Sequence, residues 1–99
     1  MIYLDNAATT RPCAEAVAAA NEAMQTLWGN PSSLHKLGVD AARLLRRCRE
    51  SVAQAMGSEP EHVFFTSGGT EADNWAISAA AERMGKRGRH IITTAVEHE

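Results

Sequence analysis

Phe64-Phe65-Thr66-Ser67-Gly68-Gly69-Thr70-Glu71-Ala72-Asp73 (64–73) is the stretch on which the fold turns. The apolar run Val63–Thr66 reads as a short buried strand. After one serine come two glycines, and a helical run then begins at Thr70 and continues to about Met84. The first turn of a helix carries unpaired N–H groups and about half a positive charge, so it attracts anions. Glycines there let the backbone bend and let a phosphate approach with no Cβ in its way. The Thr70 hydroxyl adds a donor. This pattern suits a phosphate monoester. It lacks the Gly-Lys-Ser/Thr ending of a nucleoside-triphosphate loop, and it lacks the Gly-x-Gly-x-x-Gly dinucleotide turn.

The same spacing admits a second reading. Thr70-x-x-Asp73 is a threonine N-cap with an acid three residues on, which closes a helix without any ligand. Glu71 and Asp73 suit the positive end of the helix, yet would partly repel a bound phosphate. Spacing alone leaves both readings open.

Beyond this helix, Gly85-Lys86-Arg87-Gly88-Arg89 is a basic loop and His90–Val96 is a second strand candidate. His98 follows directly. Ligands in open α/β sheets collect beyond the carboxyl ends of strands. Thr70 and His98 would therefore line one crevice if both strands run the same way. Taken alone, a histidine so placed is more often an exposed polar residue. His35, His62 and His90 have no better claim, and the last two precede strands, at the opposite end from the crevice.

Upstream, residues 1–11 are a short extended start followed by small polar residues. Pro12 is placed to open a helix, where its missing donor is harmless. Cys13, Val17, Ala20, Met24 and Leu27 make one apolar stripe. Gly29-Asn30-Pro31 ends it, with Gly29 available for a left-handed position. A second helix over about 33–56 carries Leu34, Leu37, Ala41, Leu44, Leu45, Cys48, Val52, Ala55 and Met56 on one face. Ser32 or Ser33 is its expected cap, and Gly57 its stop. Asp40, Arg43, Arg46, Arg47, Arg49, Glu50 and Gln54 mostly take the other face, where Arg46 and Glu50 are spaced for a surface pair. Lacking aromatic interleaving, the arginines read as a solvated face rather than a nucleic-acid surface. Cys13 and Cys48 fall on apolar stripes and are expected in the core.

The order helix, helix, strand, helix, strand is that of an α/β protein. The third helix, with Ala72, Trp75, Ala76, Ile77, Ala79, Ala80 and Ala81, leaves little polar face and asks for cover. The 99 residues are 44% hydrophobic with a net charge of -2, which suits one small domain and gives no basis for a nucleic-acid partner. The start has no basic leader, and no apolar run reaches membrane-spanning length. The two cysteines have no metal-ligand spacing. A cytoplasmic protein with reduced thiols is the expectation. Val96-Glu97-His98-Glu99 ends at the mouth of a strand, so the natural chain is expected to be longer.

Four strings, YLDNAATT (3–10), GNPSSLHKLG (29–38), FTSGGTEADNWAI (65–77) and TAVEHE (94–99), together resemble the cysteine desulfurases of the class V aminotransferases. NPSSLH is closest to the branch serving iron–sulfur assembly. The resemblance covers the whole chain but only the first part of that family's catalytic subunit. It implies the N-terminal part of a fold-type-I pyridoxal 5'-phosphate enzyme, with residues 1–31 as N-terminal loop and helix. Residues 32–99 would supply the second helix and the start of the cofactor-binding α/β domain. The implied protein is a homodimer that converts L-cysteine to L-alanine, passing sulfur through an enzyme persulfide to an iron–sulfur scaffold or other acceptor protein. By position, Gly69 and Thr70 match the pair that holds the cofactor phosphate. His98 matches the histidine that stacks on the pyridine ring and helps move protons. The family's Schiff-base lysine, its aspartate at the pyridine nitrogen and its persulfide cysteine match nothing before residue 99, so neither Lys36 nor Lys86 inherits a role. The resemblance also implies that the strands at 63–66 and 91–95 are not neighbours in the sheet, so this stretch alone would show unpaired strand edges and an exposed third helix. A selenocysteine lyase, another class V aminotransferase, or a non-catalytic helical module that associates through its apolar faces are the other readings.

Overall fold

A helix closes its own hydrogen bonds, whereas a strand needs a neighbour. That difference sets what this chain builds. The computed structural model describes residues 2–97, which form α1 (Ala14–Thr26), α2 (Lys36–Met56), a 3-10 turn (Pro60–His62) and α3 (Gly69–Met84). No strand forms among the described residues. The chain divides between Val63 and Phe64 into two units.

The two expected strands are thus corrected. Val63 does have extended backbone, with φ -101° and ψ 119°. Its carbonyl accepts from the Arg49 Nε at 3.0 Å instead of entering a ladder. In the run expected as the second strand, the Val96 N–H lies 3.4 Å from Thr94 Oγ1, and Thr94 Oγ1 donates to Glu97 at 2.7 Å. Residues 95–97 turn. Apolar runs of this length form strands only against a partner edge, and neither run has one among the described residues.

In the first unit, α2 is fixed at both ends by local chemistry. At its C-terminus Gly57 takes φ 63°, a left-handed value that only glycine adopts freely. The Gly57 N–H reaches Gln54 O at 3.2 Å and the Ser58 N–H reaches Ala53 O at 2.9 Å, the paired bonds of a Schellman motif. At its N-terminus the cap is His35, whose Nδ1 accepts weakly from the Gly38 N–H at 3.4 Å. Ser32 and Ser33 were the expected caps. They are instead used in a turn, where the Asn30 side chain accepts from the Ser32 N–H at 2.9 Å and the Asn30 carbonyl from the Ser33 N–H at 2.9 Å. Pro31 sits inside that turn with its φ already set.

This turn lies flat on the first turn of α2 and dictates two glycines. A Cβ on Gly38 would stand 2.7 Å from both the Asn30 carbonyl oxygen and Ser33 Cβ, and closer still to the Ser33 carbonyl. One on Gly29 would stand 2.6 Å from the Leu37 carbonyl carbon. Gly29 is not left-handed, since Gly57 alone has φ in the left-handed range among the described residues. Its glycine is required by proximity. The buried side chains are as small as this contact: Ala41 and Ala53, with Gly38 beside them.

The remaining apolar stripes lie open. No residue of α1 is buried, with Cys13 as its N-cap, and Val17 and Met24 are exposed. Cys13 and Cys48 are both exposed free thiols, which corrects their expected place in a core. Both stripes exist, but the described residues leave these two positions exposed. On the polar face of α2 the ion pairs are Lys36–Asp40 at 2.6 Å and Asp40–Arg43 at 3.5 Å, while Arg46 and Glu50 form none with each other. The Lys36 hydrogen bond holds the Asp40 carboxyl below its usual range. No helix among the described residues is long and apolar enough to cross a membrane.

Replacing a mid-helix glycine by alanine ordinarily adds helix stability. At Gly38 the sign should reverse. In the full-length protein, Gly38→Ala is expected to destabilise by about 1–3 kcal/mol, as overpacking against backbone does. An unchanged or higher unfolding midpoint would contradict the packing of 29–33 on α2.

Candidate functional site

The second unit presents the Ser67–Thr70 corner. Phe64 and Trp75 meet edge-to-face, with ring centroids 5.4 Å apart and planes at 69°. This contact ties the extended residues before the glycines to the second turn of α3. α3 itself has no buried residue, and Trp75 and Ile77 are exposed. Uncovered by the described residues, its apolar faces match the exposure that the resemblance implied.

α3 begins one residue earlier than the spacing predicted. Gly68 is the N-cap, in extended backbone, and no side chain caps the helix. Thr70 is therefore the second helical residue and not a self-closing cap. The first helical bond runs from the Ala72 N–H to the Gly68 carbonyl at 3.1 Å. The N–H groups of Gly69, Thr70 and Glu71 precede it and have no acceptor among the described residues, and neither does the Thr70 hydroxyl have a partner there. A Cβ placed on Gly68 or Gly69 would meet nothing within 4 Å among the described residues. The corner thus offers amide donors, a hydroxyl and clear space, a donor set matched to a phosphate dianion.

Hydrogen bonds brace this turn from its flanks. Glu71 Oε2 accepts from the Ser67 N–H at 2.6 Å and from Ser67 Oγ at 2.7 Å. Thr66 Oγ1 donates to the Gly68 carbonyl at 3.1 Å, and Asn74 Nδ2 to the Thr70 carbonyl at 2.8 Å. Carbonyls on both sides of the turn are engaged while the amides between them stay open. The Glu71 carboxyl is held below its usual range, first by the Ser67 N–H and then by the Ser67 hydroxyl. Sequence reasoning placed Glu71 at the helix dipole and missed this latch. The four-residue step from serine to glutamate across two glycines is the signal that marked it.

His98, expected to share the crevice with Thr70, lies outside the described residues. YLDNAATT and GNPSSLHKLG fall in the first unit. There the Tyr3 hydroxyl lies 3.0 Å from the carbonyls of both Asp5 and Thr9, and Thr10 Oγ1 donates to the Asn6 carbonyl at 3.0 Å. YLDNAATT is therefore a self-bonded turn. The groove that runs along Ile77, Ala81, Met84 and Ile91, about 660 Å³ in volume, opens at the far end of α3 from Gly69.

The model of the aminotransferase class-V family matches residues 2–99. The chain belongs to that family. It is 47% identical over 98 residues to a NifS/IcsS protein homolog of Lactobacillus delbrueckii, covering 99% of this chain and 26% of the relative. It is 42% identical over 97 residues to the cysteine desulfurase IscS of Methanosarcina thermophila, covering 98% and 24%. A selenocysteine lyase of Xenopus laevis is 41% identical over 110 residues, covering 99% and 26%. The class-V chain described here thus spans about a quarter of the length of the curated relatives it matches. No solved structure matches it. Membership in this family implies the fold-type-I architecture, although the described residues show helices alone.

The latch has a pH sign. A carboxyl whose folded pKa is depressed contributes above its unfolded value and loses that contribution as pH falls through the folded one. The Ser67–Glu71 bonds should persist through neutral and mildly acidic pH and break below the usual glutamate range. The Ser67 amide resonance, followed by NMR in the full-length protein, should titrate with a midpoint below that range. A midpoint at or above it would show that the latch is not formed.

Proposed function

We propose that the intact protein is a pyridoxal-phosphate-dependent cysteine desulfurase, and that this chain supplies its cofactor-phosphate corner. The observation that carries the reading is the uncapped start of α3: open Gly69 and Thr70 amides beside a free hydroxyl, with clear space at the Cβ positions of Gly68 and Gly69 among the described residues. The named relatives point the same way.

In this reading the Gly69 and Thr70 N–H groups and the Thr70 hydroxyl bind the cofactor's phosphate and fix its orientation. The helix dipole of α3 adds a favourable field at the same point. Pyridoxal phosphate, when bound, supplies the electron sink on which bonds to the amino-acid Cα break. His98 is the proposed ring-stacking residue, with a further role in moving protons. Residues 32–99 would form the start of the cofactor-binding domain. L-cysteine is the proposed substrate, L-alanine the product, and an iron–sulfur scaffold or other sulfur acceptor the partner of a homodimer.

A second reading within the same chemistry is a selenocysteine lyase, favoured by the Xenopus laevis relative. Turnover of L-cysteine and L-selenocysteine by one preparation separates the two.

Full-length protein is expected to be yellow, to gain absorbance with added pyridoxal phosphate, and to release sulfide and alanine from L-cysteine under reductant. Colourless protein that gains no absorbance would defeat the proposal. Thr70→Val should weaken cofactor affinity about 3–10-fold, the loss of one hydroxyl hydrogen bond. Unchanged affinity would remove Thr70 from the site.

A further inference from the structure

We infer that Glu71 is a positioning residue of the phosphate corner: its carboxylate holds Ser67 and thereby keeps the Gly69 and Thr70 amides aimed at the anion. The inference rests on the phosphate reading above and deepens it.

Gly68 and Gly69 are the most conformationally permissive pair the chain could place in this turn. With nothing within 4 Å of either Cβ position among the described residues, packing there does not fix them. Hydrogen bonds do. Glu71 takes both donors of Ser67, at 2.6 and 2.7 Å, from the third residue of the helix back across the glycines. Two consequences follow. The turn is closed into a short ring anchored in α3, so its amides need less ordering when an anion arrives. The donors of Ser67 are also consumed, which removes them from the set open to an incoming phosphate.

The opposing effect is charge. An ionised Glu71 stands at the start of the helix that a dianion must approach. Glu71 is exposed, so water and salt damp that repulsion. Its charge is already directed into two short hydrogen bonds on Ser67. Bracing therefore outweighs repulsion, and removing the carboxylate weakens phosphate binding.

The discriminating pair of ligands is pyridoxal phosphate and pyridoxal, which lacks the phosphate. Each is titrated into the cofactor-free full-length protein and read by absorbance. Glu71→Ala is expected to raise the Kd for pyridoxal phosphate about tenfold, the scale of one charge-assisted hydrogen bond. Its Kd for pyridoxal should stay within about twofold of the parent, a scale too small for a lost hydrogen bond. Glu71→Gln keeps one acceptor for the Ser67 N–H and should fall between. Ser67→Ala, which retains the amide and loses the hydroxyl, should also fall between. Equal losses for both ligands would mean a general structural defect and overturn the assignment. Equal or tighter binding of pyridoxal phosphate by Glu71→Ala would show that repulsion prevails, and would overturn it as well. If the parent binds neither ligand, the phosphate reading itself fails, and that outcome is distinct from the other two.

Discussion

A backbone amide away from water must find an acceptor, and each part of this chain answers that demand differently. The three helices satisfy themselves from within. The apolar runs at 63–66 and 90–96 cannot, because a strand's donors face sideways toward a neighbour that the described residues do not provide. Val63 is held by a side chain, Arg49, in place of a ladder. At Gly69 and Thr70 the amides face solvent and find no acceptor among the described residues, since the first four amides of any helix have no partner within it. α1 also starts without a side-chain cap, but at α3 the residue before the helix and its first residue are both glycines, so its first open donor carries no side chain beside it.

This accounts for what was legible in the sequence and what was not. Helical periodicity is a local property, so α2 and α3 were recoverable to within three residues, and Gly57 announced its own turn. The strands were read from the same kind of local pattern, but their existence depends on residues elsewhere. Cys13 and Cys48 failed for a related reason: a stripe at helical spacing states which face would be buried, and says nothing about whether a surface lies against it. The cap of α2 was misplaced because Ser32 and Ser33 favour both caps and turns. Asn30 and Pro31 ahead of them tip the balance to the turn, leaving His35 for the helix.

The glycines show the limit of reading a residue type by its commonest use. Gly57 needs its backbone angle. Gly29 and Gly38 need no special angle; they let one segment lie against another at a distance a Cβ would forbid. Gly68 and Gly69 have neither constraint. Among the described residues nothing crowds their Cβ positions. Among the described residues neither strain nor close packing requires the Gly-Gly pair, and clearance for a ligand is the use the proposed site would give it.

That clearance has an energetic corollary. A helix start at an exposed surface favours an anion by only about 0.3–1 kcal/mol before specific hydrogen bonds are counted, and salt screens it further. Amides already hydrated gain little by exchanging water for a phosphate oxygen. Order and burial are therefore what convert open donors into a site. Order is present in the Ser67–Glu71 ring and in the Phe64–Trp75 contact beneath it. Burial is not: Gly69 and Thr70 are exposed, as is the apolar flank of α3. The covering surface that the apolar flank of α3 calls for would also raise the worth of each donor at its tip, since a hydrogen bond to a charged oxygen strengthens as water withdraws.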